Sequence, residues 1–509
     1  MTEEFIERRI VLGLIISTEY IQKIRGIWDS KLLEASTART IAGWCMDYFD
    51  QYHKAPNKDI QSIYNAKLKG GLSQEEAEWI EGVLDNLSKE YERDNFNTPY
   101  LIDQTKKYFQ ERSLWDHIDT IKGALENNEL IEAEKEAYSY SSILKENQSA
   151  IDPFSKEAVS IVKKAFKERE KPLIKFPKAL GDFWGSEFVR GAFVAILGME
   201  KKGKTFVLIE IAIRAIKSKC NVVFFQAGDM TEEQQIRRLG VYLTKRSDQP
   251  RYCKGMFLPT IDCLYNQIDT CNEEMRECDF GIFKPEDDVK GAGLEILSNL
   301  YRENKDYVAC HNCDKISGVP WLKWREEVPV LKWTEAYRAF REFQKKHNAR
   351  FKLSTHANET LRISEIKSLL RIWEKEEGFV PDLIIIDYAD IMAPDPDCTR
   401  LEFRNQTNKI WQRLRNLSQE QKCLVVTATQ AAASSYDHNL LRLSDFSEDK
   451  RKFAHVTAMY GLNQTSEEKK IGIMRLNEMV VRDADFDSKQ TIKVLQRLQI
   501  GRPFLGSFK

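Results

Sequence analysis

Phe193-Val-Ala-Ile-Leu-Gly198-Met-Glu-Lys-Lys-Gly203-Lys204-Thr205 decides the architecture. An apolar run with the character of a buried strand leads straight into G-x-x-x-x-G-K-T, and an apolar-periodic helix, Phe206 to Ala215, follows. The glycines let the backbone wrap closely around phosphate, because a residue without Cβ tolerates the conformations required. Successive N–H groups and the N-terminus of the following helix then face the anion. Gly198, Met199, Glu200, Lys201, Lys202, Gly203, Lys204, Thr205 and Phe206 are therefore expected to cradle ATP. Lys204 would reach the β- and γ-phosphates, and the Thr205 hydroxyl would hold Mg²⁺. A plain glycine turn between strand and helix would not need the whole pattern.

At 509 residues the chain is too long for one ordinary core, so two or more domains are expected. Its 42% hydrophobic and 30% charged content fits a soluble globular protein. No apolar run approaches the ~20 residues needed to span a bilayer. The charged start, Met1-Thr-Glu-Glu-Phe-Ile-Glu-Arg-Arg9, lacks the apolar stretch of a signal peptide. A cytoplasmic location is expected, the host cytoplasm if the chain is phage-encoded. The net charge of -1, from 77 basic and 78 acidic residues, argues against non-specific coating of nucleic acid, although a local basic surface stays compatible with it.

Residues 1–145 read as an all-helical N-terminal domain for oligomerisation or partner binding. Ile10, Leu12, Leu14 and Ile15 share one stripe, and Ser73-x-x-Glu76 has the form of a capping box leading toward Trp79 and Leu84. Trp28, Trp44, Trp79 and Trp115 are expected in its core. Residues 146–178 read as a linker, in which Asp152-Pro153 opens a charged connector helix, Lys156 to Lys171. From 179 to 509 strands alternate with helices, the pattern of an α/β, mostly parallel sheet flanked by helices. Asn221–Ala227, Phe351–Thr355, Leu383–Asp387 and Leu424–Gln430 are its further expected strands, with a helix over Ser364–Lys375. Between about 251 and 335 the periodicity is lost, as in an insertion.

Leu383-Ile-Ile-Ile-Asp387 is an apolar strand ending in a carboxylate that would hold Mg²⁺ through water, opposite Thr205. Asp390 reads as a solvated or capping carboxylate. Asp229 follows the strand after the nucleotide-loop helix and would stand beside the γ-phosphate as a general base, or else cap the helix beginning near Thr231. Gln430 ends its strand, where its amide could sense the γ-phosphate or serve a structural hydrogen bond.

The succession GMEKKGKT, FFQAGDMTEEQQIRRL, LIIIDYADIM and VVTATQ resembles the RecA-like P-loop core of DnaB-type replicative helicases over roughly residues 180 to 509. The helical first 145 residues and the connector helix match that family's layout. Where the family's second strand ends in Glu-Met, this chain has Asp229-Met230; the family's Asp-Tyr and strand-end Gln are kept as Asp387-Tyr388 and Gln430. The resemblance implies a hexameric ring that hydrolyses ATP, translocates 5′→3′ on single-stranded DNA and unwinds the duplex, with a primase and a helicase loader as possible partners and no membrane. It implies basic finger residues reaching a neighbour's site; Arg475 and Arg482 are the candidates, against plain surface arginines. It also implies DNA contacts from two loops, Met392–Asn408 with Arg400 and Arg404, and Ala431–Lys452 with Arg442, Lys450, Arg451 and Lys452, giving salt-sensitive binding. The alternatives are a RecA- or KaiC-like DNA-dependent ATPase without unwinding, and an accessory ATP-binding ring protein.

Within the insertion, Cys310-His-Asn-Cys313 has zinc-knuckle spacing. With Cys263 and Cys271 it would complete a structural Zn²⁺ site, for which Cys253, Cys278 and His311 are alternative ligands. Some phage-encoded relatives of the family look similar here. Trp321, Trp324 and Trp333 are expected to pack.

Overall fold

The computed structural model describes residues 3–69, 74–91, 97–139, 153–154, 158–167, 171–185, 187–313, 317–348, 350–432, 435, 438–445, 450–482 and 487–509. They form two compact units, 1–163 and 164–509.

The first unit is helical, built on Glu3–Ile16, Ser36–Tyr52 and Thr98–Glu126 among others. Ile10, Leu12, Leu14 and Ile15 are all buried, as their common stripe requires. Beside them the buried Glu7 carboxylate accepts hydrogen bonds from the Tyr108 hydroxyl and from the N–H groups of Glu34 and Ala35, which compensates its desolvation. Two of the four tryptophans depart from expectation. Trp44 is buried and Trp28 half-buried, but Trp79 and Trp115 are 67% and 48% exposed. Ser73, the Glu76 side chain and Asp152 lie outside the described residues, and so do 156–157 and 168–170 of the expected connector helix, whose helical described part spans Val159–Lys167.

The strands of the second unit, in chain order, are β1 (Phe193–Gly198), β2 (Val222–Gln226), β3 (Met256–Cys263), β4 (Gly318–Arg325), β5 (Phe351–Thr355), β6 (Leu383–Asp387), β7 (Leu424–Gln430), β8 (Ala458–Asn463), β9 (Ile473–Val481), β10 (Thr491–Arg497) and β11 (Arg502–Phe508). All but β3 and β4 join in one nine-stranded sheet, ordered β11-β10-β9-β8-β1-β7-β6-β2-β5. From β8 to β5 all pairs are parallel, and β8 to β11 form an antiparallel extension. The fold is thus the expected mostly parallel sheet flanked by helices. Every residue of β1, β2 and β6 is buried, which explains why these strands read as unbroken apolar runs rather than alternating ones. Helices Lys204–Lys217 and Phe403–Glu420 pack against the sheet through residues such as Ile209, Ile211, Ile410, Trp411 and Leu414; each such side chain contributes about 1.5–3 kcal/mol on burial. Leu173, Ile174 and Phe176 lie against the same core, and the Leu173 N–H donates to the Phe188 carbonyl.

The stretch without periodicity has its own structure. The antiparallel pair of β3 and β4 joins helix Leu294–Glu303 around Leu297, Tyr307, Trp321 and Leu322. That core continues into Ile473, Leu495 and Phe508 of the antiparallel extension, so the insertion is seated on the sheet's added strands. Trp321 packs as expected; Trp324 and Trp333 are 40% and 81% exposed. Trp333 opens a further helix, Trp333–His347.

Candidate functional site

In the parallel part of the sheet, β1, β2, β6 and β7 run the same way, so the residues that follow them emerge at one edge. There Glu200, Lys201, Gly203, Lys204, Thr205, Phe206, Asp229, Arg238, Asp387, Tyr388, Gln430 and Leu498 line one cleft of about 520 Å³. Lys204, Thr205, Asp229, Asp387 and Gln430, expected from sequence to act together, all face it.

The nucleotide loop reverses the chain through two left-handed residues, Lys201 (φ 57°) and Gly203 (φ 89°). A Cβ on Gly203 would also lie 2.7 Å from Leu498 Cδ1, so both conformation and packing call for glycine. Lys204 Nζ donates to the carbonyls of Gly198 (2.8 Å) and Met199 (3.1 Å), which orients its stem along the loop. Burial lowers its pKa, while Asp387, Asp390, Glu200 and Asp229 draw it back up. Two members of the loop point elsewhere. Met199 is buried in the core, and Lys202 Nζ donates to the Gln464 carbonyl at 2.8 Å.

Asp387 ends β6 with its side chain buried. Burial pushes its carboxyl up to about 6; the Thr205 hydroxyl, Arg238 and Lys204 counter this, and Asp229 adds to it. Its Oδ2 has no hydrogen-bond partner among the described residues. A buried acceptor of this kind, beside a hydroxyl and among carboxylates, fits a hard divalent cation bound through water. Thr205 and Asp387 are thus suited to hold Mg²⁺.

Asp229 is exposed and leaves β2 through Gly228 (φ 136°). A Cβ on Gly228 would come within 2.5 Å of Asn358 Cα. The helix that follows, Glu232–Thr244, is capped by Thr231, whose hydroxyl accepts from the Gln234 N–H while the Gln234 side chain returns to the Thr231 N–H. Asp229 therefore does not act as its N-cap. Gln430 donates through Nε2 to Glu200 Oε1 at 2.9 Å, and its backbone N–H donates to Asp390 Oδ2 at 3.1 Å. Asp390, read from sequence as a solvated or capping carboxylate, is not solvated but tied into the protein. Its side chain is 5% exposed and paired with Lys452.

Sequence reasoning missed Arg238 and Leu498. Arg238 lies in the second turn of the helix after Asp229, with its guanidinium 5.3 Å from the Phe206 ring centroid. Burial lowers its pKa, against the pull of Asp387 and Asp229. The Arg237-Arg238 pair was visible; which of the two faces the cleft depends on the phase of the helix. Leu498 arrives from beyond β10, too far along the chain for any spacing rule.

The outlying candidates fall in different places. Arg475 is held by its own chain's Glu468, at 2.6 Å and 3.3 Å. Arg482 is exposed at the end of β9, its Nη2 donating to the Ala454 carbonyl. The two expected DNA loops meet: Arg451 donates to the Arg404 carbonyl and to Asn405 Oδ1, and His455 is 2.8 Å from Asn408 Oδ1. Arg400, Arg404, Arg442 and Arg451 are exposed, and the Lys450 side chain lies outside the described residues. Lys452 corrects the expectation, because it is fully buried and cannot meet a ligand in solution.

The zinc expectation is also corrected. Among the described residues no group of three or more His, Cys, Asp or Glu side chains is arranged to hold a metal ion. Cys263, Cys271, Cys310 and Cys313 do gather in one region: Cys313 is raised by burial and then by its neighbours Cys310 and Cys271. The insertion is organised instead by buried Asp262, which accepts from the N–H groups of Cys263 and Cys310, from Asn266 Nδ2 and from the Tyr307 hydroxyl. Cys278, an alternative ligand, packs in the apolar core. Among the described residues no helix is long and apolar enough to cross a membrane.

No protein-family model matches the chain, and no curated protein matches it in sequence. Among solved structures, a DnaB-like replicative helicase described with its interactions with primase matches at a TM-score of 0.54 and 15% identity, covering 98% of this chain and 98% of its own. A second solved structure, of an ATPase domain, matches at a TM-score of 0.43 and 14% identity, over 68% of this chain and 96% of that one. The chain has the fold of the first structure over nearly its whole length, helical N-terminal region included.

Proposed function

We propose that this chain is an ATP-driven replicative DNA helicase, working as a hexameric ring that moves 5′→3′ along single-stranded DNA and unwinds the duplex ahead. The observation that carries the reading is the convergence of Lys204, Thr205, Asp229, Asp387 and Gln430 on one cleft at the edge of a parallel sheet. The likeness in fold to a DnaB-like replicative helicase supports it.

Bound Mg²⁺ would supply charge neutralisation on the β- and γ-phosphates. The chain's own residues do the rest. The nucleotide loop orients the triphosphate, and Lys204 exchanges its loop carbonyls for phosphate oxygens. Asp229, exposed at the cleft, accepts a proton from the attacking water. Arg238 adds a positive charge from the same chain, and Gln430 senses the γ-phosphate. Arg482 is the better-placed candidate to reach a neighbouring subunit, since Arg475 is engaged by Glu468.

In this reading residues 1–145 serve assembly and partner binding, residues 146–178 link them to the motor, and residues 179–509 are the motor. A primase is the partner to test first, because the similar helicase is described with one. Arg400, Arg404, Arg442 and Arg451 would meet DNA backbone, so affinity should fall steeply with salt. The test is unwinding of forked duplexes bearing either a 5′ or a 3′ single-stranded tail. Activity confined to the 5′-tailed loading strand supports the proposal. DNA-stimulated ATP turnover without strand separation would move the assignment to a RecA-like ATPase.

A further inference from the structure

Behind Gln430 lies a buried ion pair that the chemistry of hydrolysis does not use. Lys452 Nζ is 2.8 Å from Asp390 Oδ1, with the lysine side chain 0% and the aspartate side chain 5% exposed. The same Asp390 accepts from the Thr429 hydroxyl at 2.7 Å and from the Gln430 N–H at 3.1 Å, both through Oδ2, and from Trp411 Nε1 at 3.3 Å. Lys452 Nζ stands 5.6 Å from the Trp411 ring centroid. One carboxylate thus holds the backbone of the nucleotide-facing glutamine with one oxygen and the far end of the 431–452 loop with the other. A buried pair of this kind is weak evidence for stability, since apolar residues of similar volume often serve as well, whereas loss of one partner alone leaves a buried charge uncompensated. Lys452 is followed by Phe453, packed on the central core, and preceded by Arg451, hydrogen-bonded to the other expected DNA loop.

We infer that Asp390 and Lys452 are positioning residues that yoke Gln430 to the segment Arg451–His455, so that occupancy of the nucleotide cleft changes the state of that segment. The inference rests on the nucleotide-site reading above and does not require that the segment bind DNA. A ligand shifts such an element only through differential contact with its two arrangements, and the Asp390–Gln430 hydrogen bond is where that difference enters.

The test is hydrogen exchange of the 451–455 segment in the full chain, with and without Mg²⁺ and a non-hydrolysable ATP analogue, alongside calorimetric binding of the analogue. In the unaltered chain the analogue should bind and change exchange in the segment by about fivefold or more, the low end of ordinary coupling between sites. In the double variant Asp390→Asn with Lys452→Met, which leaves no unpaired buried charge, binding should persist and the change in the segment should vanish. A segment in the unaltered chain that ignores bound analogue overturns the inference, whatever the variant does. So does a double variant that binds and responds in full. Absence of analogue binding to the unaltered chain removes the nucleotide-site reading itself, a result distinct from binding without response.

Discussion

In the proposed reading, Asp229 decides whether the cleft turns ATP over or only binds it. It stands one methylene further back than a glutamate would, and Thr231 does the capping that could have occupied it. Asp229→Asn should retain nucleotide binding yet lose about 10²–10⁴-fold in hydrolysis; loss of binding in a titration would make the residue structural. Lys204→Ala should abolish turnover and leave the circular dichroism and melting profile of the chain intact, and surviving turnover would refute the phosphate role. Asp387 carries a pH dependence. Its pKa is raised from 3.8 to about 6 by burial, so the folded chain holds more protons than the unfolded one across that window. The carboxyl's contribution to stability is therefore complete below the unfolded value and lost as pH rises through about 6. Binding of Mg²⁺ runs the other way, because it needs the ionised group. Mg²⁺-dependent affinity for the analogue should drop by about tenfold per pH unit below about 6, and Asp387→Asn should flatten that component. A slope unchanged in the variant would assign the titration to another group.

At the scale of elements, the strand ends position the chemistry. Gly228 lets β2 release Asp229 beside the backbone of Asn358. Gly228→Ala meets both a positive φ and that contact, and should cost about 1–3 kcal/mol while slowing hydrolysis; unchanged melting and turnover would show that the turn relaxes freely. Strands β1, β2, β6 and β7 were legible in sequence because they are buried on both faces; β5 was read although half-buried, and β8, equally buried, was not read as a strand. The apolar runs of β1, β6 and β7, ended by Gly198, Asp387 and Gln430, mark strand and site together. The antiparallel strand pair of the insertion was not legible, since its strands mix Pro259, Asp262 and Pro320 with apolar residues and its partner core lies far along the chain in β9–β11. Its cysteines invited a metal reading from spacing alone, whereas Asp262 at the centre of four donors has no signature in sequence. The same holds for Asp390 and Lys452, which are 62 residues apart and only become a pair once the β6 and β7 ends are side by side.

For the whole molecule, the fold matches a DnaB-like replicative helicase over nearly its full length at 15% identity. What sequence shows at that distance is the cleft, where phosphate and metal chemistry restrict the residue types that can serve; the helical unit carries no such restriction. Amphipathic pattern could place tryptophans on helices of the first unit, but not tell an inward Trp44 from an outward Trp79, because that depends on which neighbours arrive. A site completed by a neighbour's arginine should leave an isolated chain a poor ATPase, and assembly should raise turnover per subunit by up to about 10³–10⁵-fold. The direct test is steady-state ATP hydrolysis with and without single-stranded DNA, with the mass of the assembly measured in both conditions. A hexamer whose turnover rises strongly with DNA is the expected result. A chain that assembles with ATP but hydrolyses no faster on DNA would contradict the helicase reading.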